Sequence, residues 1–190
     1  MLIEPSKPRY TVSSEAGVTT IACPPRRNWL ILLFLIAWLG GWTIGGMGAL
    51  TQVTKPGDHQ AFMLFWLMGW AVAEIWVLFV VLWQLAGLEQ LSVVQGNLVH
   101  RASIAGIGRT REFTGAEVTN LRSSPQLLSA WMDQRSFMPP IFGSGNGAIA
   151  FDYGAKTYRV GGGLDEAEAR QVVLMLSKQY PRMAEAHDAT

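Results

Sequence analysis

The sequence predicts an α+β membrane protein in which a two-helix transmembrane hairpin carries a small antiparallel β-barrel or sandwich closed by a C-terminal helix. Three observations lead to this fold class: two long apolar runs, six short strand-like segments after them, and a final amphipathic helix. The chain divides into an N-terminal segment 1–27 with a short β-hairpin, the transmembrane hairpin 28–86, the barrel-like domain 87–181 and a tail 182–190.

The two apolar runs, 29–50 and 61–86, are each long enough to cross a bilayer. The first contains one polar side chain, Thr43, and the second contains only Glu74 and Gln84. About 20 apolar residues, each rising about 1.5 Å along the helix, span a hydrocarbon core of about 30 Å. The short polar segment between the runs therefore predicts a transmembrane hairpin.

Charges beside the apolar runs predict the orientation of this hairpin. Arg26 and Arg27 directly precede the first run, whereas the connecting segment holds a single lysine, Lys55. The positive-inside rule then places the N-terminus in the cytoplasm. Two spans return the chain to the same side, so we expect a multi-pass membrane protein with both termini cytoplasmic.

Composition and motif content narrow the function classes. The formal net charge is only +1, which gives no electrostatic case for nucleic acid. Cys23 is the single cysteine, which excludes an internal disulfide. The three histidines, His59, His100 and His187, are not at metal-ligand spacing, and no catalytic motif is present. We therefore expect no enzymatic activity, no cofactor and no metal.

A stripe of small residues on the first span is one candidate site. Ala37, Gly41, Gly45 and Ala49 repeat every four residues, and such a stripe lets two helix backbones approach closely in lipid. Two interpretations remain open. The stripe either packs against the second span of the same chain or docks another membrane protein.

Glu74 is the most conspicuous polar residue of the second span. It shares one helical face with Trp66 and Trp70, which precede it by eight and four residues. A charge at that depth costs at least ~2.5 kcal/mol on insertion scales, so Glu74 needs a polar partner. It either contacts a partner subunit, a proton or a cofactor, or it hydrogen-bonds the glycine-exposed backbone or Thr43 of the first span.

After the hairpin, short β-prone segments alternate with turn residues. Gln95-Gly96-Asn97 is a turn signal between the first two predicted strands. Asp165 is an N-cap candidate for the closing helix, and Pro181 ends that helix. A short hairpin around Gly17 is expected to add to the larger sheet, because an isolated hairpin is marginal in water. Residues 123–147 have no sustained period and predict a long loop.

The order of these segments resembles small bacterial membrane proteins with a pleckstrin-homology-like domain. The resemblance implies short hairpins folded into a barrel that a C-terminal helix plugs, in a bacterial inner membrane. It also implies lipid contact through basic residues near the first hairpin, for which Arg109 and Arg111 are the nearest match, but it implies no reaction. The segments that carry it are Arg26–Trp29, Leu88–Val93, Gly106–Phe113, Ile149–Gly154, Phe151–Arg159 and Gly163–Ala169.

Arginines on the predicted strands are the third candidate site. They either form a basic patch toward anionic lipid headgroups or pair with nearby carboxylates as ordinary solvated strand faces. The arginines are Arg101, Arg109, Arg111, Arg122 and Arg159, and the carboxylates are Glu112, Glu117 and Asp152.

Together these patterns predict a membrane-anchored, non-enzymatic interaction module, an accessory subunit of a larger membrane complex. Its partners would be the lipid bilayer and another membrane protein or a second copy of the chain, with no nucleic acid. The alternative is a lipid- or ligand-sensing module at the cytoplasmic membrane surface.

Overall fold

The computed structural model describes residues 8–15, 17–53, 60–124 and 147–185. Over these residues the chain is an α+β protein with two long apolar helices and antiparallel sheets. It forms two compact units, a helix unit (Arg27–Leu85) and a sheet unit (Met1–Arg26 with Ala86–Thr190). The elements are β1 (Thr11–Glu15), β2 (Val18–Cys23), α1 (Trp29–Val53), α2 (Gln60–Ala86), β3 (Gly87–Val94), β4 (Asn97–Ile104), β5 (Ile107–Phe113), β6 (Val118–Ser123), β7 (Ile149–Tyr153), β8 (Lys156–Val160), α3 (Glu166–Gln179) and α4 (Pro181–Ala184).

Helices α1 and α2 are the two predicted apolar runs, and both are long and apolar enough to cross a membrane. They contain 25 and 27 residues, which at about 1.5 Å per residue gives lengths of about 38 and 40 Å. Asn28 caps the start of α1, because its side-chain oxygen accepts a hydrogen bond from the backbone N–H of Ile31 at 3.3 Å. Large apolar side chains point outward along both helices, as Leu30, Ile44 and Phe65 illustrate with exposures of 78%, 73% and 70%.

The sheet unit contains a five-stranded antiparallel sheet in the order β1-β2-β3-β4-β5. The N-terminal hairpin joins the larger sheet as expected, through pairing of β2 with β3 from Thr19↔Val93 to Cys23↔Glu89. Because β2 and β3 are antiparallel, the end of β2 and the start of β3 lie at the same end of the sheet. Both chain connections to the helix unit, after Cys23 and before Gly87, therefore leave from this one end.

The remaining strands, β6, β7 and β8, form a separate three-stranded antiparallel sheet. The prediction of a closed barrel is therefore wrong for the described residues, which form two sheets around one core with α3. Closure fails at strand β5, which among the described strands pairs with β4 alone and leaves residues from Ile107 to Thr110 exposed at the sheet edge. Phe151 and Leu98 from the two sheets are fully buried in this common core, together with Val172 and Leu176 of α3.

Helix α3 begins and ends where the sequence predicts. The Asp165 side chain accepts a hydrogen bond from the backbone N–H of Glu168, and the Glu168 carboxylate accepts one from the backbone N–H of Asp165. This reciprocal capping box satisfies two of the free N–H groups at the helix start. The predicted strands after Ala86 are present as β3 to β8. Most of the loop predicted over 123–147 lies outside the described residues.

Candidate functional site

Within the helix unit, Arg27 binds the last turn of the second helix. Its Nε donates to the carbonyl of Gln84 and its Nη2 to the carbonyl of Leu85, each at 3.0 Å. These carbonyls have no partner within the helix, and a cation at a helix C-terminus is favourable. One of the two arginines that predict the orientation thus also caps α2.

Glu74 hydrogen-bonds Thr43, the second of the alternatives that the sequence leaves open. Thr43 Oγ1 lies 2.5 Å from Glu74 Oε1 and 2.9 Å from the carbonyl oxygen of Leu39, one turn earlier in α1. The half-buried carboxyl group therefore has a polar partner inside the helix pair. A hydrogen bond between two apolar helices also fixes how they face each other.

Four tryptophans form a continuous stack in the helix unit, in which the rings of Trp42 and Trp70 are near parallel and the other two ring pairs are tilted. The centroids of Trp38 and Trp42 are 4.3 Å apart, those of Trp42 and Trp70 3.9 Å, and those of Trp66 and Trp70 4.5 Å. The indole of Trp42 also donates to the backbone carbonyl of Trp70 at 3.4 Å. Trp70 is therefore the central contact between α1 and α2, with Trp66 at the outer end of the stack, 41% exposed.

The small-residue stripe does not form one contact face. A Cβ at Gly45 would lie 3.3 Å from Cζ2 of Trp70, so this glycine packs against the second helix. A Cβ at Gly41 would meet open space, and Ala37 is exposed. Ala49 is half-buried. The stripe is thus divided between a position used inside the helix pair, Gly45, and open positions at Ala37 and Gly41.

The sheet unit contains a buried polar cluster around Glu89, which the sequence analysis did not identify. Glu89 is 4% exposed and His100 6% exposed. Glu89 Oε1 accepts from the Nε2 of His100 at 2.8 Å and from the backbone N–H of Gly161 at 2.9 Å. Glu89 Oε2 accepts from the backbone N–H of Gly162 at 2.9 Å. One carboxylate on β3 thereby joins β4 to the loop that precedes α3.

Electrostatics keep Glu89 ionised inside the protein. Burial alone would raise the pKa of this carboxyl group, but the hydrogen bond and charge of His100 and the two backbone N–H groups outweigh it, so the pKa is lowered. A carboxylate can only accept hydrogen bonds, so His100 carries a hydrogen on Nε2. Burial, followed by the negative charges of Glu89 and Glu168, raises the pKa of the neighbouring Cys23 thiol far above its usual range.

The loop of three glycines beside this cluster, 161–163, leaves no room for a side chain at Gly163. A Cβ at Gly163 would lie 2.1 Å from the carbonyl oxygen of Pro24, whereas a Cβ at Gly162 would lie 3.8 Å from Glu89 Oε2. The loop therefore packs tightly on the segment that leads from β2 to α1.

The arginines of the third candidate site are not gathered into one patch. Arg109 and Arg111 lie on one face of β5, since their register partners are Ala102 and His100. Arg101 pairs with Thr110 on the opposite face and donates to the carbonyl of Gly106 at 2.8 Å. Arg159 belongs to the other sheet.

The pairing alternative holds for one of these arginines. Arg122 forms an ion pair with Asp152 at 3.0 Å, as expected for a solvated strand face. Among the described residues, neither the Arg109 nor the Arg111 side chain takes part in a hydrogen bond or ion pair. The same holds for Arg159, so these three candidates lack a side-chain partner within the described part of the chain.

The part of the chain that the structure describes contains no group of three or more His, Cys, Asp or Glu side chains able to bind a metal ion.

One signal for the Glu89 cluster is present in the sequence. Glu89 has the same strand parity as Leu91 and Val93, so an acidic side chain lies on the apolar face of β3.

Comparison with known proteins gives no relative. No protein-family model, no curated protein sequence and no solved structure matches this chain.

Proposed function

We propose that this protein is a membrane-anchored, non-enzymatic interaction module, an accessory subunit of a larger membrane complex. Helices α1 and α2 form a hairpin through a bacterial inner membrane, with both termini in the cytoplasm, and the sheet unit is a pleckstrin-homology-like domain at the membrane surface. Its partner is another membrane protein or a second copy of the chain.

The observation that carries the proposal is the open small-residue face of α1. Glu74 and Gly45 have partners inside the helix pair, so they do not require a further subunit. A Cβ at Gly40, Gly41 or Gly48 would meet open space, and such positions allow close approach of another helix in lipid. An anchor that contacts only lipid does not need this concentration of glycine.

Purification in mild detergent with substitutions on the two helices tests this proposal. Gly41→Leu is expected to release a partner that the unaltered chain retains in fixed stoichiometry. Gly69→Leu is the matched control, because Gly69 is an equally open glycine on α2. Equal retention by both variants, or loss only with Gly69→Leu, contradicts docking on α1. Gly45→Leu tests the helix pair instead, since its side chain would strike Trp70.

The second candidate function is lipid or ligand sensing by the sheet unit. One observation favours it, the absence of described partners for Arg109 and Arg111 on the exposed edge strand β5. A sensor should alter its headgroup preference when both arginines are replaced by glutamine, whereas an accessory subunit should still retain its partner. Vesicle flotation and mild-detergent purification of the same variant separate the two functions.

A further inference from the structure

The register of the five-stranded sheet places the tip of the β4–β5 hairpin beside Ala86 and Gly87, the residues with which the sheet unit resumes after the helix unit. Gly87, the first residue of β3, pairs with Ile104, the last residue of β4. The backbone N–H of Ala105 in the following turn donates to the carbonyl of Ala86 at 3.0 Å. Ala86 is the last residue of α2. The turn is thus one hydrogen bond from the point where the chain leaves the helix.

The length of α2 places this end in the polar layer of a bilayer. Its 27 residues extend about 40 Å, whereas the hydrocarbon core is about 30 Å thick and the headgroup layers add about 5 to 7 Å on each side. A centred helix therefore ends among the headgroups. Arg27 indicates the same depth for this helix end. Its guanidinium group binds the carbonyls of Gln84 and Leu85, and a charged group belongs in a polar environment.

The side chains that follow the hairpin turn suit this layer. Ile107 is 84% exposed, more than the exposed large apolar side chains of the two long helices, such as Leu30 at 78%. Arg109 follows on the same strand face, two residues further along β5. Its guanidinium group has no hydrogen bond or ion pair with any described residue. An apolar tip followed by an exposed cation matches the boundary between acyl chains and anionic headgroups.

We infer that the β4–β5 hairpin tip is a membrane contact, in which Ile107 enters the bilayer that α2 crosses and Arg109 meets anionic lipid phosphates. This inference rests on the proposed membrane location of the helices. The partner of the hairpin tip is the lipid surface, because the tip is hydrogen-bonded to the residue at which the proposed span ends. Arg101 is excluded from the contact by its position on the opposite strand face.

The depth of a fluorescent label in reconstituted full-length chain tests this contact. The label is attached at Ile107→Cys, at Leu174→Cys or at Val72→Cys, all of which are exposed positions, at 84%, 69% and 64%. The native Cys23 is buried and does not compete for the reagent. Vesicles contain phosphatidylcholine alone or with phosphatidylglycerol, and carry a nitroxide near the headgroup or near the end of the acyl chain.

The label at position 107 should be quenched by the shallow nitroxide and protected from aqueous iodide, whereas the label at 174 should be open to iodide. Equal iodide quenching at 107 and 174 overturns the inference. The label at 72 reports the proposed span separately. Quenching there by the deep nitroxide with an iodide-open position 107 rejects only the hairpin contact, and no quenching at 72 rejects both.

The role of Arg109 has its own matched pair of variants. Arg109→Gln should remove the additional protection of the 107 label that phosphatidylglycerol provides, while leaving the protection in phosphatidylcholine unchanged. Arg182→Gln makes the same charge change at the other end of the sheet unit, beside the Gln95–Gly96 turn, and should have no effect. An equal response to both variants contradicts a specific contact at Arg109.

Discussion

Replacing Glu89 by glutamine tests whether the buried cluster is a main support of the sheet unit. Glutamine has nearly the same volume as glutamate, so the change affects hydrogen bonding and charge rather than packing. Glu89 accepts three hydrogen bonds, from His100, Gly161 and Gly162, at 2.8 to 2.9 Å. A glutamine side chain offers one oxygen and one NH₂ group in place of two oxygens.

The cost follows from the geometry. An amide oxygen at the Oε1 position keeps the contacts to His100 and Gly161, but loses charge assistance in both. The amide NH₂ then faces the backbone N–H of Gly162, which leaves a buried donor without an acceptor. An unsatisfied buried donor costs about 1 to 3 kcal/mol, and charge assistance adds about 1 kcal/mol per bond. We expect Glu89→Gln to lower the free energy of unfolding by about 3 kcal/mol.

The pH dependence of this effect has a definite sign. Folding lowers the pKa of Glu89 below its ordinary value of 4.5, so the unfolded chain binds more protons in the acid range. The stabilisation is present above about pH 4.5 and is lost as the pH falls through the folded pKa. Asp152, whose pKa is lowered by its hydrogen bond from Thr157 and further by Arg122 and Asn120, adds a contribution of the same sign. The difference between the unaltered chain and Glu89→Gln isolates Glu89, and it should shrink toward low pH.

Labelling of Cys23 in denaturant measures opening of the sheet unit in the full chain. Cys23 pairs with Glu89 in the sheet register and is 4% exposed. Because burial raises its pKa, the thiol should not react with a maleimide at neutral pH until the sheet opens. This absence of reaction in the native state is itself a prediction.

The matched control for this measurement is Glu112→Gln. Glu112 is an exposed carboxylate on β5 that accepts a hydrogen bond from Asn97 at 3.0 Å, and its replacement should change stability by less than about 0.5 kcal/mol. Equal labelling midpoints for the Glu89 and Glu112 variants would refute the reasoning. The reasoning would also be refuted if the stability difference between the unaltered chain and Glu89→Gln did not become smaller as the pH is lowered.

Two further predictions concern close contacts in each unit. Gly163→Ala should destabilise the sheet unit by about 1 to 3 kcal/mol, because its Cβ would strike the carbonyl of Pro24, whereas Gly162→Ala should be close to neutral; comparison of their labelling midpoints checks this. Glu74→Gln should preserve insertion and weaken the helix pair by only about 0.6 to 1.7 kcal/mol, since an amide still bonds Thr43. Loss of insertion, measured by vesicle flotation with alkaline extraction, would contradict a purely internal role for Glu74.

Local patterns were sufficient to predict most elements of this fold. The two apolar runs are the helices α1 and α2, because runs with a single carboxyl group between them cannot be divided into short surface elements. Asp165 caps the start of α3, and Pro181 begins the next helix, α4. Both effects depend on contacts within one helical turn. Contact of Glu74 with Thr43 was among the stated alternatives, since each span contains very few polar side chains.

Long-range choices could not be predicted in the same way. Whether the strands close into a barrel depends on whether β5 pairs with a second strand, and β6, which follows it directly in the chain, joins the other sheet instead. The partner of Glu89 was equally hidden, because Gly161 and Gly162 follow 72 and 73 residues later in the chain. The lone acidic residue at an inward strand position marks only that a partner must exist.

The position of the helix unit in the chain explains why the buried cluster matters to the whole fold. Strands β2 and β3 are neighbours although α1 and α2 separate them in sequence, so the helix pair acts as the connection of a long β-hairpin. Closing a longer connection costs little more entropy than closing a short one, since the cost grows only with the logarithm of length. The adjacent pair Cys23↔Glu89 lies at the open end of this hairpin. At this end no short turn holds β2 against β3. Glu89 lies there and binds the loop before α3, so it stabilises the strand pair where the sheet has no turn.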